Sequence, residues 1–219
     1  MEPTPFSESI QDYLRVIYKL ETEERRATTS AIADGMAVAP ASVTGMLKKL
    51  AGLGLVDHEP YRGALLTVTG RRAAIEITRH HRLLEMYLAQ NLGLGIDAVH
   101  EEADRLEHAL SEELEARIDA ELGYPTHDPH GDPIPDASLH IADAALRPLS
   151  SLDAGERATI RRVPDGDRDL LRYLSGLELV PGRSVEVTES APFDGPVTVA
   201  VGGARHAIGR DLAGRIGVA

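Results

Sequence analysis

The chain has 219 residues and no cysteine, which leaves room for one large domain or a few small ones and excludes disulfides, thiolate metal sites and a cysteine nucleophile. No apolar run approaches the ~20 residues needed to cross a bilayer, and the N-terminus lacks the basic and apolar regions of a signal peptide, so a cytoplasmic protein is expected. The net charge of −12 argues against a nucleic-acid partner until its distribution is read: residues 1–72 are neutral, residues 73–141 carry −11 and residues 142–219 carry −1.

Residues 7–24 pattern as an amphipathic helix, with Ser7 as N-cap and Ile10, Leu14, Ile17 and Tyr18 on the apolar stripe. Asp12 lies off that stripe. A short helix over Thr29 to Met36 is broken by Ala37-Val-Ala-Pro40, and a second runs from about Ala41 to Leu53 with Val43, Met46, Leu47 and Leu50 spaced for burial. Two short helices joined by a tight turn make a helix-turn-helix. Two short strands follow, around a turn at Pro60-Tyr61-Arg62-Gly63, and complete a winged helix-turn-helix. The exposed side of the second helix offers Pro40, Ser42 and Thr44 near its start and Lys48 and Lys49 beyond, with Tyr61 and Arg62 at the wing tip. These residues suit double-stranded DNA with few base contacts and several phosphate contacts. A winged helix that binds protein instead is the alternative.

Thr69-Gly70 is expected to cap a long helix reaching about Leu92, Asp97 the next helix, and Ser111 a further one ending near Gly123. On helical spacing His81 and Glu85 share one face, and His100, Asp104, Glu107 and His108 share another. Imidazole and carboxylate donors of this kind suit a divalent first-row metal. A solvated acidic face with incidental histidines is the bland alternative. His80 points about 100° away from His81, and His127 and His130, in a Pro- and Gly-rich loop, show no partner pattern. Leu83, Leu84, Tyr87, Leu88, Leu110, Leu114 and Ile118 supply more apolar surface than two helices bury alone, which points to a helical dimer interface.

Residues 142–152 pattern as a linker. Beyond them Arg157–Val163, Ser184–Thr188 and Val197–Val201 alternate like strands, with a short helix at Asp167–Leu174, which makes a small SH3-like β-barrel. Neither His-Glu-x-x-His nor Gly-x-Ser-x-Gly occurs, so no peptidase or hydrolase is expected. The expected fold is mainly α with a small β part: residues 1–72 as the winged helix domain, 73–141 as a helical metal-binding and dimerisation domain, 142–152 as the linker and 153–219 as the β domain.

The order of a winged helix, His81-Arg-Leu-Leu-Glu85, His100-x-x-x-Asp104-x-x-Glu107-His108 and a small β domain resembles the diphtheria toxin repressor family over essentially the full length. Val38-x-Pro40-x-Ser42-Val43-Thr44-x-Met46, Lys49-Leu50 and Tyr61-Arg62-Gly63 are similar to its manganese transport regulator branch. The resemblance implies a homodimeric, metal-activated transcriptional repressor of metal-uptake genes with a palindromic operator, an FeoA-type C-terminal domain and no enzymatic activity. It implies a primary site of Asp12, Asp104, Glu107 and His108 and a second site of His81, Glu85 and His100. Iron-responsive members carry a thioether and a thiol at the positions of Asp12 and Asp104. Both are carboxylates here, so Mn(II) is the expected ion and Fe(II) the alternative. An acidic ligand of the manganese branch falls at Arg15, and a ligand from the β domain would fall near Asp165 or Asp167. A winged-helix regulator of an organic ligand and a DNA-binding metallohydrolase are the competing readings.

Overall fold

The structure, a computed structural model, describes residues 6–23, 26–59, 63–142 and 145–219. Helix α1 (Glu8–Thr22) buries Ile10, Leu14, Ile17 and Tyr18 along the stripe that their spacing predicts, but Ser7 makes no side-chain cap. Helix α2 (Thr29–Met36) is capped by the Thr28 hydroxyl, which accepts from Ala31 N, and it stops at Ala37 in the left-handed region. Helix α3 (Pro40–Gly52) starts on its proline, where a missing N–H costs least, and buries Val43, Leu47 and Leu50. Strands β1 (Val56–Glu59) and β2 (Gly63–Leu66) form the antiparallel wing. Pro60, Tyr61 and Arg62 at its tip lie outside the described residues.

Helix α4 (Val68–Leu92) is capped by Thr67 rather than by Thr69-Gly70, because the Thr67 hydroxyl is the one that reaches Gly70 N. Helix α5 (Val99–Leu106) begins after Ala98 with no side-chain cap, so Asp97 does not start it. Ser111 caps α6 (Glu112–Glu121) through Leu114 N, as expected. The first half of α4 puts Ala73, Ala74 and Ile77 into the core of the winged helix. Its second half puts Leu83, Leu84 and Leu88 into a separate helical core with Val99, Ala103, Leu110, Ile118 and Ile134. Most leucines that suggested a surplus of apolar surface are therefore consumed within the chain, and Leu92, Leu106 and Leu114 are what remains exposed.

The C-terminal part is a six-stranded antiparallel sheet. Its elements are β3 (Arg147–Pro148), β4 (Arg157–Arg162), α7 (Arg168–Gly176), β5 (Ser184–Ser190), β6 (Val197–Val201), β7 (Ala204–Ile208), α8 (Arg210–Arg215) and β8 (Gly217–Val218). The strand order is β3-β8-β4-β5-β6-β7. The linker expectation for 142–152 fails from residue 147 onward: β3 pairs with β8, and Leu149 and Leu152 enter the core.

This sheet docks onto the helices near α5. Val163 N donates to the His130 carbonyl at 2.9 Å, Lys19 of α1 reaches Asp165 at 2.7 Å, and Arg168 reaches Glu101 of α5 at 3.1 Å. The approach at Gly131 is so close that a Cβ there would lie 1.8 Å from the Arg161 carbonyl oxygen, and its φ of +92° is one that side chains disfavour. Among the described residues no helix is long and apolar enough to cross a membrane.

Candidate metal centre

Three helices and one tight turn converge on a polar seam between the winged helix and the helical core. Helix α1 contributes Asp12 and Arg15, α4 contributes His81 and Glu85 one turn apart, and α5 contributes His100 and Asp104, also one turn apart. The α-helix ends at Leu106, and Glu107–Ala109 form a 3-10 turn. That change of pitch corrects the single-stripe expectation for 100–108. Asp104 stays one turn from His100 and sits between Arg15 of α1 and His81 of α4, Glu107 meets His81 of α4, and His108 reaches Asp12 of α1.

The seven expected ligands form one continuous chain of contacts. His108 Nε2 is 3.1 Å from Asp12 and 3.8 Å from Glu107. Glu107 Oε2 is 2.6 Å from His81 Nδ1, whose ring also lies 3.3 Å from Asp104. His81 Nε2 and His100 Nδ1 both meet Glu85 Oε1, at 2.9 and 2.8 Å. By ligand-atom distance the chain divides into Asp12, Glu107 and His108 on one side and His81, His100 and Asp104 on the other, each set within 4.8 Å. Asp104 thus groups with the two histidines and not with Asp12, a division that differs from the one the family resemblance implies.

Arg15 lies within this seam. Its guanidinium is 2.6 Å from Asp104 Oδ1, 3.5 Å from Glu107 Oε1 and 3.1 Å from His81 Nδ1. It supplies positive charge where the carboxylates would otherwise repel one another, yet its fit is incomplete. Both Arg15 Nε and Glu107 Oε1 are buried without a hydrogen-bond partner. Burial opposes a charged His81 ring, but Glu85 and Glu107 outweigh it and pull the imidazole up to about 9. Burial likewise works to raise Glu85, and contacts with His81, His100 and His130 hold it well below the usual carboxylate range. Asp12 is raised by burial against the opposing charges of His108 and Arg15.

The donor set fits a hard or borderline divalent ion: carboxylate oxygens and imidazole nitrogens with no thiolate, and one buried carboxylate oxygen left unsatisfied. Asp12, Glu107 and His108 would hold one ion, and His81, His100 and Asp104, with Glu85 alongside, a second. Asp165, suspected as a ligand, bonds Lys19 and lines a cavity of about 60 Å³ with His81, Glu85 and His100, while Asp167 caps α7. Two residues escaped the sequence reading. His130 and Asp128 lie buried beside Glu85, and their only signal was an Asp-x-His in a loop far from Glu85 in the chain.

In the winged helix, Pro40, Ser42, Thr44, Lys48 and Lys49 are all exposed on α3. The Thr44 hydroxyl donates back to the Pro40 carbonyl at 3.2 Å.

Comparison with known proteins matches three family descriptions in order. Residues 5–64 match "Iron dependent repressor, N-terminal DNA binding domain", residues 67–136 "Iron dependent repressor, metal binding and dimerisation domain" and residues 147–219 "FeoA domain". The chain is 35% identical over 203 residues to the iron-dependent repressor IdeR of Mycobacterium tuberculosis, covering 87% of each. It is 30% identical over 211 residues to the diphtheria toxin repressor of Corynebacterium diphtheriae, covering 92% of each. A solved manganese-dependent transcriptional repressor in complex with manganese superposes with a TM-score of 0.87 at 38% identity, over 95% of this chain and 98% of that one. The chain belongs to the iron-dependent repressor (diphtheria toxin repressor) family of metal-dependent, DNA-binding transcriptional repressors.

Proposed function

We infer that this chain is a homodimeric repressor whose DNA affinity is set by Mn(II), with Fe(II) as the alternative ion, and that it has no catalytic role. The observation that carries the reading is the Asp12–Glu107–His108 group, because it straddles two parts of the fold. Asp12 belongs to α1 of the winged helix, whereas Glu107 and His108 belong to the turn after α5. Bound there, a divalent cation supplies the positive charge that lets these carboxylates approach.

The chain's own residues do the rest. Asp12 commits α1, and through it the winged helix, to one placement against the helical domain. His81, His100 and Asp104 hold the start of α5 against α4. Glu85 orients both imidazoles through one oxygen. Such a ligand shifts the equilibrium between placements only by its differential affinity for them, and a coupling of about 1–3 kcal/mol corresponds to roughly 5–150-fold in DNA affinity. Two α3 helices held in a symmetric dimer then match half-sites about one helical turn apart.

The test is DNA binding to the protein's own upstream region after chelation, titrated separately with Mn(II), Fe(II) and Zn(II). Binding that appears with Mn(II) and is lost in Asp12→Ala upholds the reading. Affinity indifferent to metal returns the organic-ligand alternative. Weaker donors for soft ions do not by themselves reject Zn(II), so its titration measures selectivity directly.

A further inference from the structure

The tip of the β5–β6 hairpin is strained, and no packing among the described residues offsets the strain. Gly195 N donates to the Pro192 carbonyl at 3.1 Å, closing a two-residue turn in which Phe193 has a φ of +56° and Asp194 one of +57°. Such a turn favours Asn-Gly, and a bulky side chain in the left-handed region is disfavoured. The Phe193 ring gains nothing in return from the chain's own core, because the residue is 100% exposed. The turn is nevertheless held firmly. Arg210, at the start of α8, donates to the Ser190 hydroxyl at 2.7 Å, the Ala191 carbonyl at 3.1 Å and the Gly195 carbonyl at 3.2 Å, which clamps both sides of the neck. A rigid, exposed aromatic is the form that binding anchors take, because little freedom is lost when it is buried.

A cleft of matching chemistry lies at the start of α4. It encloses about 390 Å³, with Leu66, Ile75 and Leu139 as apolar lining and Arg71, Arg72 and His140 as its basic groups. Among the described residues no carboxylate lines it, and the first turn of α4 carries none either. Glu21 takes up part of the Arg71 charge from outside the lining, whereas the N-terminal end of α4 adds positive potential. In a chain of net charge −12, an apolar cleft edged by guanidiniums suits an apolar group that carries an anion. Phe193 followed by Asp194 is such a group.

We propose that the Phe193–Asp194 tip of one copy docks in the Arg71–Arg72 cleft of another, with the ring against Leu66, Ile75 and Leu139 and the carboxylate toward the guanidiniums. The contact joins unlike surfaces, so each homodimer offers two tips and two clefts, and assembly extends from dimer to dimer. It rests on the homodimer reading. A phenylalanine buries about 150–250 Å², far below the ~1,000 Å² of a stable interface, so the contact is weak between free dimers. Dimers held on adjacent stretches of DNA meet at effective concentrations of about 1 mM, and there a weak contact is enough to join them.

The experiment is sedimentation velocity on the full chain with Mn(II), from micromolar concentration to about 1 mM. In the parent, species larger than the dimer are expected to grow with concentration. Phe193→Gly removes the ring and relaxes the turn, so the association constant should fall roughly 30-fold while the thermal midpoint does not drop. Val68→Asp sets a carboxylate in the cleft at a residue that is 90% exposed in the first turn of α4, where an acidic side chain suits the helix. Each variant alone should stop at the dimer, yet a mixture of the two should assemble, because one keeps its cleft and the other its tip. A parent that stays dimeric at about 1 mM overturns the proposal and leaves the repressor reading standing. A mixture that stays dimeric, or Phe193→Gly assembling as the parent does, overturns it as well. A parent that is monomeric throughout overturns both.

Discussion

Replacing Arg15 with methionine separates the two roles that positive charge plays in this seam. Arg15 is 2.6 Å from Asp104 and 3.5 Å from Glu107, and the Glu107 side chain is wholly enclosed whereas that of Asp104 is 40% exposed. Two unit charges about 3.5 Å apart attract by about 5 kcal/mol at an effective dielectric of 20. Desolvation of the guanidinium offsets part of that, and removing one partner of a buried pair costs roughly 3–5 kcal/mol. Solvent screens the Asp104 half, so the expected loss in the chelated protein is about 2 kcal/mol, or ~4–8 °C in thermal midpoint for a chain of this size. Metal affinity should move the other way. An ion entering the seam of the parent must share Asp104 and Glu107 with the guanidinium, and in Arg15→Met it need not. Mn(II) should bind about 10-fold tighter, equivalent to ~1.4 kcal/mol, and should raise the thermal midpoint more than it does in the parent. Differential scanning fluorimetry with and without chelator, beside calorimetric titration with Mn(II), reads both quantities. An unchanged chelated midpoint together with weaker Mn(II) binding would refute the reasoning, because Arg15 would then be part of the bound arrangement and not its competitor.

Lys48→Ala and Lys49→Ala on the exposed side of α3 should weaken DNA binding about equally across sequences. Removing one lysine–phosphate pair should flatten the plot of log affinity against log salt by about 0.9; an unaltered slope would remove that lysine from the interface. Burial works to raise Asp165, but Lys19 outweighs it and holds the carboxyl at about 2, below its usual value of 3.8. A group depressed in the folded state stabilises above the unfolded value and loses that effect as pH falls through the folded one. The deficit of Lys19→Met in thermal midpoint should therefore be present at pH 5 and vanish between pH 3.8 and 2. It should stay under about 1 kcal/mol because Lys19 is 46% exposed; a deficit that persists at pH 2 would contradict the pairing. Gly131→Ala puts a Cβ against the Arg161 carbonyl at a positive φ, and roughly 2–4 kcal/mol of destabilisation is expected from strain and overlap together. A melting scan that matches the parent would show that the loop has another way to dock.

The elements legible in the sequence were those with a period to read. Val43, Leu47 and Leu50 mark α3 by spacing alone, and β4, β5 and β6 alternate over five to seven residues. Strands β3 and β8, at two residues each, are too short to alternate, so 142–152 passed for a linker although Leu149 and Leu152 enter the C-terminal core. The end of α5 was hidden because a helix and a 3-10 turn look alike over three residues, and that turn decides which ligands Glu107 and His108 join. Helical spacing found His81 with Glu85 and His100 with Asp104, since both pairs are local. Asp128 and His130 meet Glu85 only through the folding of the proline-rich loop, and no local pattern records that meeting. The dimer expectation agrees with the match of residues 67–136 to a metal binding and dimerisation domain, but the leucine count overstated the surface available for it, because Leu83, Leu84, Leu88 and Leu110 are absorbed by the chain's own core.

Helix α4 runs unbroken for 25 residues, and at 1.5 Å per residue it is a rod of about 37 Å. One half is embedded in the winged helix and the other in the core beside the ligands, so the rod has no free joint between them. Leverage follows from that length. A tilt of about 5° at the ligand end sweeps the far end through roughly 3 Å, close to the 3.4 Å rise between successive bases on a DNA strand. A displacement too small to disturb the packing of either core is therefore large enough to bring α3 into or out of step with its half-site.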